Sequence, residues 1–111
     1  YRTMGEIKTT PENLQAGIDG EHYEVNEMYP AYLAVSKLQE EKDATRSFHG
    51  ALEAEKIHEV MYSDAKKLAD KGEDIDVGKI YICSVCGYTT TNQAPEKCPI
   101  CGAPKSKFIG F

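Results

Sequence analysis

Four cysteines, Cys83, Cys86, Cys98 and Cys101, fall in one short stretch as two Cys-x-x-Cys pairs. Cys83-Ser-Val-Cys86-Gly87 recurs in form as Cys98-Pro-Ile-Cys101-Gly102, with eleven residues between the pairs. A Cys-x-x-Cys followed by glycine fits a tight turn whose backbone N–H groups point at thiolate sulfur. The glycine supplies the backbone freedom such a turn needs. Four thiolates at this spacing make a tetrahedral sulfur site for zinc or iron. Disulfide staples are usually spread through a small secreted fold, so this clustering points to a metal instead. Spacing alone fits a closed structural zinc ribbon best, whereas iron would turn the same cage into a one-electron carrier.

A second set of chemistry-bearing residues lies upstream. Glu21 sits on an apolar stripe between Ile18 and Val25, and Glu24 follows at i+3 on the same helical face. Two carboxylates so placed repel each other, and burying them unpaired is costly, so they call for a cation. Glu55 and His58 form a Glu-x-x-His unit on another stripe, between Ala51 and Tyr62. That is the inward-projecting unit of di-iron carboxylate bundles. Each motif alone is weak, since Glu-rich helices are more often solvated. Their coincidence on the apolar faces of adjacent helices is what suggests a metal site. His22, His49, Glu27, Glu53 and Glu59 fall off the stripes or at their edges and read as solvated.

These residues need two long helices and a small β module to hold them. Leu14, Ile18, Val25, Met28, Tyr32 and Val35 repeat at helical spacing over about residues 11–40. Thr10-Pro11-Glu12 reads as the helix start, with Thr10 as N-cap. Pro30 should kink this helix or open its hydrogen-bond ladder. Phe48, Ala51, Tyr62 and Ala65 mark a second helix over about residues 43–71, widened by Leu52, Ile57, Met61 and Leu68 and stopped at Gly72. Residues 1–10 read as a connection and 73–78 as an acidic linker. The expected fold is therefore mainly α. An antiparallel helical hairpin fills residues 1–74, and a metal-bound module fills 75–111. A hairpin alone cannot cover both its apolar faces, so something else must pack on it.

The chain has 111 residues and a formal net charge of −5. No Lys/Arg run could track phosphates, which argues against nucleic acid. No apolar run approaches the roughly 20 residues of a membrane helix, and no signal-peptide pattern marks Tyr1. The expectation is a cytoplasmic protein.

Taken together, Gly20-Glu-His-Tyr-Glu-Val-Asn-Glu-Met-Tyr-Pro30, Glu55-Lys-Ile-His58 and the paired cysteines running to Cys101-Gly-Ala-Pro-Lys-Ser-Lys-Phe108 resemble rubrerythrin. The resemblance covers essentially the whole chain, with three motifs in order at matching intervals. It implies half of a ferritin-like four-helix bundle followed by a rubredoxin-like domain. It also implies hydrogen peroxide reduction at a di-iron site fed with electrons by an Fe(Cys)4 centre. Carried over by residue, Glu21 and Glu24 match di-iron ligands, Glu24 being the carboxylate that moves as iron changes oxidation state. Glu55 matches the bridging ligand and His58 the ligand capping one iron. Tyr29 matches a tyrosine that lines the site, and Cys83, Cys86, Cys98 and Cys101 match the ligands of the single iron. In this context iron replaces zinc as the metal expected in the cysteine cage.

The departure is as informative as the match. The family's two earlier helices, carrying a further Glu and a second Glu-x-x-His unit, have no counterpart in this sequence. The missing half is expected as a separate or cleaved N-terminal helical segment; the alternatives are two copies of the hairpin pairing, or helices simply absent and a chain inactive alone. The resemblance further implies a homodimer or higher assembly and a redox partner that supplies electrons. Two other functions remain open: a zinc-ribbon adaptor with a helical docking hairpin, and iron or oxygen handling without peroxidase turnover.

Overall fold

The computed structural model describes all residues, 1–111. Helix α1 (Thr10–Tyr23) runs through a π-helical turn (Glu24–Met28) into α2 (Tyr29–Leu38), and α3 (Lys42–Ala69) returns antiparallel beside them. The start lies one residue earlier than the sequence suggests. Thr9, not Thr10, is the N-cap, because its backbone N–H donates to the Glu12 carboxylate at 3.1 Å in a capping box. Pro11 then occupies a first-turn position where no amide hydrogen is needed.

The irregularity expected at Pro30 is a π turn just before it. Tyr29 N–H donates to the Glu24 carbonyl, five residues back, so one extra residue enters the turn. This alters which side chains share a face. In a regular α-helix Tyr29, five residues after Glu24, would point well away from it. The wider turn brings the two onto one side.

Between the helices Glu40 takes a left-handed conformation (φ 57°), and Glu41 N–H caps the Ser36 carbonyl at 2.9 Å. Helix α3 ends in the same way at Gly72 (φ 74°), where Glu73 N–H reaches the Leu68 carbonyl at 3.0 Å. Three short strands follow: β1 (Ile80–Cys83), β2 (Thr89–Thr91) and β3 (Phe108–Gly110). They form an antiparallel sheet in the order β2-β1-β3. Tyr88 and Phe108 pack edge-to-face beneath the cysteine loops, ring centres 6.1 Å apart.

The core is thin. Only Leu33, Ser36, Gly50, Ala54, Cys83, Thr89, Ala94 and Cys98 are buried. Tyr32 and Val35, on the stripe expected to be covered, are 45% and 51% exposed, while Leu33 and Ser36 are the residues shielded. Tyr23, Leu38 and Val60 are exposed as well. The reason is geometric: one helix pair plus a small sheet cannot enclose both faces of the hairpin. No helix is long and apolar enough to cross a membrane.

Candidate metal centres

The four cysteine sulfurs converge from two equivalent loops. In the first, Gly87 N–H donates to the Cys83 carbonyl (2.9 Å) and Gly87 has φ 81°. In the second, Gly102 N–H donates to the Cys98 carbonyl (2.9 Å) and Gly102 has φ 73°. A side chain at either glycine would strain the left-handed backbone that closes the loop. Cys83 and Cys101 Sγ lie 3.7 Å apart, and Cys86 and Cys98 Sγ lie 3.6 Å apart. A tetrahedral cage with metal–sulfur bonds of about 2.3 Å has edges of about 3.8 Å, so the four sulfurs fit one ion. All four cysteines are free thiols, with Cys83 and Cys98 buried.

The thiols are not electrostatically equal. Burial pushes Cys86 well above the ordinary thiol range, and Cys101 shifts up for the same first reason. Burial also opposes ionisation at Cys98, but hydrogen bonds from the backbone of Cys101 and Ile100 outweigh it and lower its pKa. A bound cation would deprotonate all four, because thiolate is the ligating form.

The helices assemble the second cluster. Ligand atoms of Glu21, Glu55 and His58 lie within 4.8 Å of one another, Glu21 from α1 facing the pair from α3. His58 Nδ1 is 2.6 Å from Glu55 Oε2. Glu21 Oε2 is buried with no hydrogen-bond partner. Such an atom is expensive in an apolar setting unless a proton or a cation meets it. Burial first, and then the Glu55 carboxylate, raise the Glu21 pKa to about 7. An orphaned carboxylate oxygen beside a second carboxylate and an imidazole is a donor set suited to iron.

Glu24 stands outside that tight group, on the π turn, but belongs to the same electrostatic neighbourhood. Burial and the Glu55 charge raise its pKa, while His58 lowers it. The Tyr29 hydroxyl is shifted up by burial and then by Glu55, Glu24 and Glu21. Its ring packs edge-on to Tyr32 (6.2 Å) and against Phe48 (6.4 Å). His22, read as solvated, pairs with Glu59 across the hairpin at 3.0 Å and is two-thirds exposed. His49 and Glu27 are exposed, and Glu53 pairs with Lys56 at 2.7 Å.

Sequence reasoning missed the residues that join the two clusters. The β module packs against α3, where Gly50 and Ala54 are its buried residues. A Cβ at Gly50 would lie 3.1 Å from Cys86 Cβ, and one at Gly87 would lie 3.6 Å from Ala54 Cβ. Thr89 on β2 reaches the half-site itself, with Oγ1 2.9 Å from His58 Nε2. Small residues at positions 50 and 54, one helical turn apart, were the available signal for close approach.

With this geometry in place the comparisons are specific. The family model described as Rubrerythrin matches residues 1–66, and that described as Rubrerythrin, rubredoxin-like domain matches residues 81–109. The chain belongs to the rubrerythrin family. It is 53% identical over 100 residues to Rubrerythrin-2 of Clostridium acetobutylicum, covering 90% of this chain and 54% of the relative. It is 35% identical over 99 residues to Nigerythrin of Nitratidesulfovibrio vulgaris, covering 89% and 48%. A solved structure of fully reduced, all-ferrous nigerythrin superimposes with a TM-score of 0.78 at 35% identity, covering 91% of this chain and 48% of that one. The chain thus spans about half the length of the relatives it matches. Within the rubrerythrin family the four cysteines cluster as the Fe(Cys)4 centre, and Glu21, Glu55 and His58 are among the di-iron ligands in this chain.

Proposed function

We propose that this chain is the electron-delivering and half-ligating part of a rubrerythrin-type peroxide reductase, completed by an earlier helix pair. The observation that carries the reading is the direct contact between the two clusters: the sheet holding the cysteines hydrogen-bonds His58 through Thr89. A zinc-ribbon adaptor has no use for that contact, nor for the buried, unpartnered oxygen of Glu21.

Iron held at the two centres would supply the two electrons that, with two protons, convert hydrogen peroxide to two waters. The chain's own groups do the rest. The cysteine loops hold one iron in a cage whose backbone N–H groups stabilise thiolate. Glu21, Glu55 and the Nδ1 of His58 ligate at the half-site, with Glu24 on the π turn as the further, movable carboxylate ligand. The Tyr29 hydroxyl lies beside these ligands, where burial and the carboxylates make it a weaker acid than in water. That hydroxyl carries a proton close to where oxygen is reduced. The remaining ligands come from the earlier helix pair of the family's bundle, the assembly is a homodimer or larger, and a redox partner refills the cage.

Iron analysis and colour test the proposal together. The chain alone should carry about one iron in a red Fe(Cys)4 centre, and the protein completed with the earlier helices about three. Reduction bleaches the red centre, and peroxide should restore the colour rapidly only in the completed protein. A completed protein whose reduced cage ignores peroxide sinks the reading.

A further inference from the structure

We propose that Thr89 is a positioning residue for His58: its hydroxyl accepts a ring proton held on Nε2 and so turns Nδ1 toward Glu55 and Glu21. The argument is a count of hydrogens. Thr89 Oγ1 lies 3.0 Å from the Gly87 carbonyl, which can only accept, so the single hydroxyl hydrogen points there. The same oxygen is 2.9 Å from His58 Nε2 and therefore accepts from it. Nε2 carries a proton. Nδ1 is the ring nitrogen turned to the carboxylates, 2.6 Å from Glu55 Oε2, and without a metal one proton is shared across that contact, which a bound cation would displace.

Thr89 is suited to this task by its place in the fold. It is buried, 7% exposed, at the start of β2, and its partner Ile82 on β1 stands next to Cys83. The carbonyl it grips belongs to Gly87, whose N–H closes the first cysteine loop on Cys83. The hydroxyl is thus anchored by the same loop that cages the metal, and the orientation of His58 depends on that loop being formed. A partner on the far nitrogen is the usual way a ligating histidine is held to one tautomer. Here that partner is a side chain of the second domain rather than of the bundle.

This inference rests on the reading of His58 as a metal ligand, so the test has two arms. In the first, nitrogen-15 NMR of the histidine rings is recorded on the full chain with one equivalent of zinc in the cysteine cage. His58 should show a proton on Nε2 whatever the state of Nδ1, Thr89→Ser should keep it there, and Thr89→Val should lose it in part. A wild-type His58 protonated on Nδ1 alone overturns the proposal, as does an unchanged spectrum in Thr89→Val. In the second arm, cobalt(II) is titrated into the metal-free protein assembled with the earlier helices. Thr89→Val should weaken the carboxylate site by about 10–100-fold, with Thr89→Ser close to wild type. Equal losses in both variants would mean packing rather than the hydroxyl, and would overturn the proposal. If wild type takes up no cobalt beyond the cage, the ligand reading fails, while the first arm still decides the Thr89–His58 bond.

Discussion

Cys86 rests on Gly50 of α3 so closely that a single added carbon at position 50 would stand 3.1 Å from its Cβ. That spacing is tighter than most side-chain contacts, and Ala54 shields the same face one turn along. The iron cage therefore sits against the helix that also carries Glu55 and His58. Electron delivery in this reading depends on a pair of small residues.

Gly50→Leu should separate delivery from ligation. The leucine side chain has no room between α3 and the Cys86 loop, so the β module must shift. Both metal sites keep all their ligands. The expected outcome in the completed protein is full iron content, an unchanged Fe(Cys)4 absorption spectrum, and reoxidation of the reduced cage by peroxide slowed at least tenfold. Gly50→Ala is a milder test with opposed effects: it gains about 1 kcal/mol of helix propensity and meets the 3.1 Å contact. Unchanged reoxidation in Gly50→Leu would show that the docked arrangement does not carry the electrons.

Cys98→Ser should dismantle the module rather than merely alter it. The sheet has strands of four, three and three residues, and beyond the cysteines its buried residues are Thr89 and Ala94. So small a module relies on its metal, whose binding in comparable zinc modules is worth about 10–16 kcal/mol. The expected result is loss of the red colour and rapid proteolysis within residues 79–111, with α1 to α3 still helical by circular dichroism. Colour and protease resistance retained in this variant would contradict the assignment of the cage.

The contrast between these sites shows what a sequence can display. Ligands that work through local spacing were readable: Cys-x-x-Cys-Gly is a loop in itself, and Glu55 and His58 share a face by helical period. The turn before Pro30 was readable as an irregularity, but not as a π turn that swings Tyr29 toward Glu24. Gly50 and Thr89 were harder to read for another reason. Gly50 and Ala54, one turn apart, signal only that something comes close to α3, and the first of three threonines in β2 has no local signature, because their roles exist only once residues far apart in sequence meet. Thr9 displaced Thr10 as the N-cap by one residue, since the choice depends on which backbone amide the Glu12 carboxylate reaches.

The exposed face of the hairpin predicts behaviour in solution. Tyr23, Tyr32, Val35, Leu38 and Val60 are each 40% exposed or more, an apolar area that a bundle would cover. The chain by itself should self-associate and bind a hydrophobic dye, as seen by light scattering and fluorescence. Co-expression with the earlier helix pair should abolish both and yield a stoichiometric complex. A monodisperse 12.3 kDa monomer that binds no dye would refute the need for a partner.

Glu21 gives the metal-free protein a pH dependence whose direction follows from its environment. Burial and the neighbouring Glu55 raise its pKa from the model-peptide value of 4.5 to about 7 in the folded state. A carboxyl that binds its proton more tightly when folded favours the folded state at low pH. Its contribution is lost as pH rises through the window from about 4.5 to about 7, so the metal-free chain should become less stable across that interval. Glu21→Gln keeps the shape and removes the charge, so its stability should be flatter over the same window. A divalent cation reverses the trend, because it competes with the proton for the same oxygens: affinity at the completed site should rise as pH increases toward 7. Thermal melts of wild type and Glu21→Gln between pH 4.5 and 7.5, with and without metal, check the sign. Parallel curves for the two metal-free proteins would mean that Glu21 is not the group responsible.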